Sequence, residues 1–423
     1  MGIDEHITEL NGYSIREYDS KLPLIETDRT VYRISEYPIS SSSQDAFSDF
    51  SALVGCLSPV ACVIAGVASG IAVGNFFTGL LVCVAGCAVA WGAIFVILQV
   101  RVRLRRGWYC PYCQARLTQR WNKQCEECEH DWEKRRSDTD TDDRITSRLR
   151  DLGTIGKQLA EYVADPNANK SLGLIISACA ETAESSPSDN PHIEALCLAS
   201  ERLQQLEILF IGEMTVDEME ISWMSHGDLS AVIKAYPNLK HLWIRGAEFS
   251  LEPISSPILE TLVLESGGLK MDVVRSVIQS QLPNLEQLEI WTGSEEFGAE
   301  ATVFEFRPLF DKPLFPKLTH LAVRNCEFSD EFAESLSETS WLKQLKILDL
   351  SLGTLSYRGA VALLKTPWLS QLEFLDIHHH FMTPELVQQL QATGVMLNAD
   401  DPQIEEADIS DDGEIHRYCA VGE

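Results

Sequence analysis

Charge is absent from one long stretch of this chain: residues 51 to 100 contain no Asp, Glu, Lys or Arg. Basic residues are scarce overall, with 34 Lys and Arg against 63 Asp and Glu and a formal net charge of −29. That balance argues against a nucleic-acid binder, because phosphate contacts need clustered cations. No G-x-S-x-G elbow, P-loop or dinucleotide fingerprint occurs, and no small-molecule substrate is indicated. The 12 cysteines do not form a secreted disulfide framework. Four sit in one tight cluster, four in the uncharged tract and four are scattered, a usage that suits a reducing compartment. The isolated glycine pairs read as turns.

What is present first is the apolar tract itself. One membrane-spanning helix takes about 20 residues, so the tract has room for two, broken near Gly74-Asn75. The expected helices run from Ala52 to Val73 and from Phe77 to Leu98. Gly66, Gly70 and Gly74 line one face of the first, and Gly79, Cys83 and Cys87 line one face of the second. Small residues at this spacing let two helices approach closely in lipid. Arg101, Arg103, Arg105 and Arg106 follow at once, beside Trp108 and Tyr109. Basic residues stay on the cytoplasmic side and aromatic rings favour the interface. A hairpin returns the chain to the side it left, so both termini are expected at the cytoplasmic face of the cytoplasmic membrane. The polar residues before the tract argue against a cleavable signal peptide.

The second half is ordered by repetition. The pattern L-x-x-L-x-L starts at Leu239, Leu259, Leu285, Leu318, Leu345 and Leu372, with a further copy at Leu206. The six starts are 20, 26, 33, 27 and 27 residues apart. Such a period predicts an α/β solenoid, a leucine-rich-repeat horseshoe with a parallel concave sheet and outer helices. Each copy supplies a short strand whose alternating apolar residues point inward. The return segments read as helices. Phe332, Leu336 and Trp341 form one stripe, with Ser329 as the N-cap, and Val361, Leu363 and Leu364 form another. A further helix is expected over Leu152 to Val163.

Between tract and repeats lies a strong metal signature. Cys110-Pro-Tyr-Cys113 is followed after eleven residues by Cys125-Glu-Glu-Cys128. Two C-x-x-C pairs supply four thiolates for tetrahedral zinc, as in a short zinc ribbon. Four protein ligands leave no open position, so the expected zinc is structural. His130 is an alternative ligand, and a redox dithiol would not require the second pair. The resulting organisation is an N-terminal segment (1–50) packing on the repeats, a transmembrane hairpin (51–100), a basic juxtamembrane segment with the ribbon (101–136), a charged linker and helix (137–169), and the repeat domain with an acidic cap (170–423).

Several stretches resemble a family of bacterial leucine-rich-repeat proteins. They are FIGEMTVDEMEISWM (210–224), LVLESGGL (262–269), LDLSLGTLSYRGAVALL (348–364), LDIHHHFM (375–382) and the ending DPQ…RYCAVGE (401–423), with HITELNGYSIREYD (6–19) and VYRISEYP (31–38) at the start. The resemblance covers the chain except for about residues 51 to 150. It implies an interaction protein and carries no biochemical activity. The hairpin and ribbon then stand as an insertion between the opening segment and a strand near Leu172 to Ile176.

On the concave side, the repeat register predicts three columns. The first is His241, Thr261, Gln287, His320, Ile347 and Phe374. The second is Trp243, Val263, Glu289, Ala322, Asp349 and Asp376. The third is Arg245, Glu265, Trp291, Arg324, Ser351 and His378. Exposed Trp, Arg and His side chains suit a protein partner. The expected contact set is His241, Trp243, Arg245, Glu289, Trp291, His320, Arg324, Asp349, Asp376 and His378. His378-His379-His380 is open to three readings: a structural turn, with His380 where such repeats place a turn-bonding Asn; a partner contact; or a metal site with Asp349 and Asp376. The first two make the chain a membrane-tethered scaffold and not an enzyme. The third makes it a metal-dependent enzyme or accessory factor.

Overall fold

The computed structural model describes residues 6–18, 24, 30–35, 108–109, 116–117, 144–177, 190–339, 341–404 and 416–422. The chain divides into two compact units, Met1–Glu36 with Asp138–Glu423, and Tyr37–Ser137. Both expected membrane helices and all four cysteines of the expected zinc site lie outside the described residues. No helix among the described residues is long and apolar enough to cross a membrane.

The first unit is built on one 12-stranded sheet whose strands follow one another in chain order. They are β1 (Glu9–Leu10), β2 (Tyr13–Glu17), β3 (Val31–Ile34), β6 (Gly173–Ser177), β7 (Ile208–Glu213), β9 (His241–Arg245), β11 (Thr261–Glu265), β12 (Gln287–Gly293), β13 (His320–Cys326), β14 (Ile347–Asp349), β15 (Phe374–Asp376) and β16 (Met396–Asn398). Only β1 with β2 is antiparallel; every later pairing in the sheet is parallel. A small parallel pair, β8 (Ser225–Asp228) with β10 (Glu248–Ser250), stands apart from it. In the second unit β4 (Trp108–Tyr109) pairs antiparallel with β5 (Arg116–Leu117).

The repeat residues explain the ladder. The second leucine of each copy lies in register with that of the next, running Leu209, Leu242, Leu262, Leu288, Leu321, Leu348 and Leu375. All three apolar residues of all seven copies enter one core. Alternation sends them to a single face of the sheet, and helices cover that face. These include Gly153–Ala164, Met271–Gln279, Ser329–Ser337 and Tyr357–Lys365. Each fully buried Leu contributes about 2 kcal/mol. Strands β2, β3 and β16 extend the ladder beyond the recognisable copies.

Two helix expectations need correction. Ser329 is the first helical residue and not the cap; its hydroxyl donates to Cys326 O at 2.6 Å. In Tyr357–Lys365 the buried stripe is Gly359, Ala360, Ala362 and Leu363, while Val361 and Leu364 are only half-buried. The cause is a close approach of this helix to Asp330, whose carboxylate accepts from the Gly359 and Ser356 N–H groups at 2.9 and 2.8 Å. Such an anion at a helix N-terminus satisfies donors that lack intrahelical partners.

The glycine pair 267–268 is also more than a turn. Gly268 bridges Gly293, and a Cβ on Gly293 would lie 1.7 Å from the Gly267 carbonyl oxygen. Gly293 has φ +73°, and Gly394 has φ +88° with nothing within 4 Å of an added Cβ. Gly394→Ala should therefore cost only the left-handed backbone strain, about 1 kcal/mol. Gly293→Ala adds a backbone collision and should cost at least about 3 kcal/mol. Denaturant titration of both variants checks this; equal losses would refute the close-approach account.

Candidate functional site

Opposite the leucine core, the ladder lays out the predicted columns. His241, Thr261, Gln287, His320, Ile347 and Phe374 are successive register partners, and so are Trp243, Val263, Glu289, Ala322, Asp349 and Asp376. In the third column Arg245 pairs with Glu265, and Trp291 with Arg324. The expectation of exposed aromatic and Arg anchors fails for four residues. Trp243, Arg245, Trp291 and Arg324 are all buried, with Arg245 and Trp291 only 1% exposed.

The chain itself covers them. At the first end of the sheet, Ile7, Leu10, Tyr13 and Ile15 pack on Val31, Ile175, Phe210, Trp243 and Val263. Asn11 Nδ2 donates to His241 Nδ1 at 2.8 Å. Farther along, Trp291 packs with Met214, Ile221, Met224 and Val421. Arg245 lies over the Phe210 ring and donates to Glu265 and to Met214 O. Arg324 lies 4.7 Å from the Trp291 ring centroid, donates to Glu289 at 3.1 Å and to Ser351 Oγ at 3.0 Å, and sits 3.3 Å from Asp349. Trp291 Nε1–H donates to Glu289 at 2.7 Å. Burial opposes the charge on Glu289, yet Arg324 and the Trp291 bond hold its pKa below the ordinary range.

The three histidines go separate ways. His378 Nδ1–H donates to Asp376 Oδ1 at 2.7 Å. His379 has φ +57°, is buried, and donates from Nε2 to Tyr418 O at 3.2 Å. His380 accepts from Met382 N–H at 3.1 Å and donates to Ala399 O at 3.2 Å, so both ring nitrogens are used. β15 ends at Asp376, so His378, His379 and His380 lie beyond the strand. Among the described residues no group of three His, Cys, Asp or Glu side chains is arranged to hold a metal. Asp376 also accepts from Asn398 Nδ2 at 3.1 Å. Burial opposes the charge on Asp376, while the His378 hydrogen bonds hold its pKa down. Asp349 is pushed up by burial and then by Asp376, against the pull of Arg324.

Residues outside the predicted set complete the picture. Asn325, Leu352, His379 and Asp401 all have positive φ; Asn325 is the penultimate residue of β13, and the other three follow β14, β15 and β16. The C-terminal segment runs back along this row. Tyr418 meets His379, Ala420 N–H donates to Leu352 O at 2.8 Å, and Val421 exchanges two hydrogen bonds with the Asn325 side chain. Arg417 adds a 2.7 Å bond to the buried Asp330. A clasp at the other end joins Arg33, Glu213, His6 and Glu218. Arg33 donates to Glu213 at 2.9 Å and to Ile7 O at 2.6 Å, and His6 reaches Glu213 and Glu218, each at 3.0 Å. One signal could have found it: Arg33 and Glu213 are charged residues in otherwise apolar strands.

His6 bonds one carboxylate from each ring nitrogen, which requires the imidazolium. Burial opposes that charge, but the bonds to Glu213 and Glu218 outweigh it and raise the pKa to about 9. The buried His192–His226 pair behaves oppositely. Burial lowers His192 to about 3, helped by His226, and lowers His226 to about 4. His226 Nε2–H donates to Arg245 O at 2.8 Å, so its Nδ1 accepts from His192 at 3.1 Å. The signs follow from linkage. His6 stabilises the fold fully below its ordinary pKa of 6.5, and that contribution is lost as pH rises through about 9. The His192–His226 contribution is complete above 6.5 and lost as pH falls towards 4 and 3. In thermal melts across pH, His6→Ala should flatten the alkaline decline and leave the acid decline in place. An unchanged alkaline limb would remove the imidazolium clasp.

No protein-family model and no curated protein matches the chain. Among solved structures it is similar to the crystal structure of a Bacteroides fragilis protein determined as a structural-genomics target. Identity is 30%, the TM-score is 0.53, and the match covers 58% of this chain and 70% of the other. The chain belongs to the same family as that Bacteroides fragilis protein.

Proposed function

We propose that this protein is a membrane-tethered leucine-rich-repeat scaffold that binds a protein partner through the concave face of its sheet. The observation that carries the reading is the in-order parallel ladder with one leucine column facing the helices. Stacked units of this kind offer an extended surface, and each contacts mainly its neighbours. Such a surface suits recognition better than a reaction cleft. The partner face comprises the less buried members of the columns, His241, Gln287, Glu289, His320, Ile347, Phe374, Asp376 and His378. Trp243, Arg245, Trp291 and Arg324 stand in the same columns but are buried, so they are left out of that set.

The tether is the uncharged hairpin of residues 51 to 100, which holds the termini and repeats at the cytoplasmic side. Beside it, Cys110, Cys113, Cys125 and Cys128 hold one structural zinc. The antiparallel pair Trp108–Tyr109 and Arg116–Leu117 brackets the first C-x-x-C and supports this assignment, since a staple of this kind lets a segment too small for its own core stay folded. When bound, the metal supplies a four-thiolate cross-link.

Two measurements test the proposal. Metal analysis of the purified chain should return one zinc per chain, absent in Cys110→Ser; retention of zinc by that variant would sink the ribbon. A photo-crosslinking residue at position 374, on the sheet, should capture a partner from detergent-solubilised membranes. The same residue at 357, on an outer helix where Tyr357 is 66% exposed, should capture none. Capture from 357 alone would move the partner off the concave face.

A further inference from the structure

The sheet face is unevenly covered. From β2 to β11 the N-terminal segment lies on it as an apolar strip. At the opposite end no described segment closes the row formed by Ile347, Phe374 and Met396, and Met396 is 68% exposed. Two residues along each strand, on the same face, the adjoining row carries Glu289, Asp349 and Asp376, with Asn398 at its end. Arg324 is the guanidinium shared by Glu289 and Asp349. Asp376 is bonded to His378 and Asn398. In the third row Trp291, Arg324 and Ser351 are buried and His378 is half-buried; in the first row half-buried His320 stands beside Ile347, so both histidines also face the site. Lys346, just before β14, is paired with Glu373 at 2.9 Å.

We propose that the β13–β16 end of this face docks a protein segment carrying Arg or Lys beside a Leu- or Ile-type side chain. The apolar member lies along Ile347, Phe374 and Met396, and the cation lies over Asp349 and Asp376. The inference rests on the partner-binding reading above and names the chemistry of that partner. Two observations support the occupant. The N-terminal segment already occupies the same face from β3 to β11 with apolar residues, so the surface accepts an apolar strip. The uncovered end differs by its acidic row, where the carboxylates outnumber the one buried guanidinium and a cation gains most from complementarity. A buried Asp349 raised by burial and by Asp376 is relieved by the same cation.

The test uses the full chain and a fluorescein-labelled synthetic peptide alternating Arg and Leu, followed by anisotropy. Peptides alternating Glu with Leu and Arg with Ser are the controls. The Arg–Leu peptide should bind, and the Glu–Leu peptide should not. Met396→Lys and Phe374→Ser should each weaken binding about tenfold, and Asp376→Asn by a similar factor. Met396 is exposed, so its replacement keeps the test valid if Asp376→Asn disturbs folding. Equal binding of the Glu–Leu peptide, or Arg–Leu binding untouched by Met396→Lys and Phe374→Ser, overturns the proposal; the latter is diffuse attraction to an acidic chain. If position 374 crosslinks a membrane-derived partner while the Arg–Leu peptide fails, the partner chemistry falls and the scaffold reading stands. If neither occurs, both fall.

Discussion

A parallel sheet is usually covered on both faces, and this one covers its two faces by different means and to different extents. Helices cover one face, and the leucine column makes that coverage continuous from β7 to β15. Much of the other face is covered by pieces of the chain that are far from it in sequence, and the β13–β16 end is left open. Ile7 and Leu10 lie over Phe210 and Trp243, and Val421 lies against Trp291. The N-terminal strands also pair directly into the ladder, with β3 beside β6. The sheet therefore holds residues separated by more than a hundred positions in adjacent rungs. Its extent depends on backbone hydrogen bonding more than on any one side chain.

Charge is handled by burial in pairs. Arg33 with Glu213 and Arg245 with Glu265 are nearly inaccessible and mutually bonded, and buried Arg324 is bonded to the half-buried Glu289. Replacing one partner would leave the other buried and uncompensated, which costs far more than the pair contributes. Asp330 follows the same logic with a helix N-terminus and Arg417 as its counterparts. It joins two neighbouring helices and the C-terminal segment through one carboxylate. The left-handed turns at Asn325, Leu352 and His379 then give that segment a regular line of acceptors and donors.

Much of the ladder was legible because its signal is local. Each L-x-x-L-x-L copy fixes which residues face the core, and the spacing between copies leaves room for a returning helix. The helix expected over Leu152 to Val163 after the charged linker is found at Gly153–Ala164. The short strands at Val31–Ile34 and Met396–Asn398 lacked a full copy, so only pairing revealed them. The columns were readable for the same reason as the core, since the period of two places their members opposite the leucines. Their burial was not. Trp243 looks like an exposed anchor until Ile7 and Leu10 are laid on it, and nothing near Trp243 in sequence announces them. His379 and His380 likewise became turn and ladder residues once Tyr418 and Ala399 were in place.

The sequence by itself determined the strand register, the face on which each leucine lies, and the charge asymmetry of the chain. All three follow from periodicity and composition, which act over a few residues. Only the tertiary structure decided which part of the second face is covered and which ions are buried together. Those outcomes depend on segments that can lie more than two hundred residues apart meeting at one surface, and no local pattern encodes such a meeting.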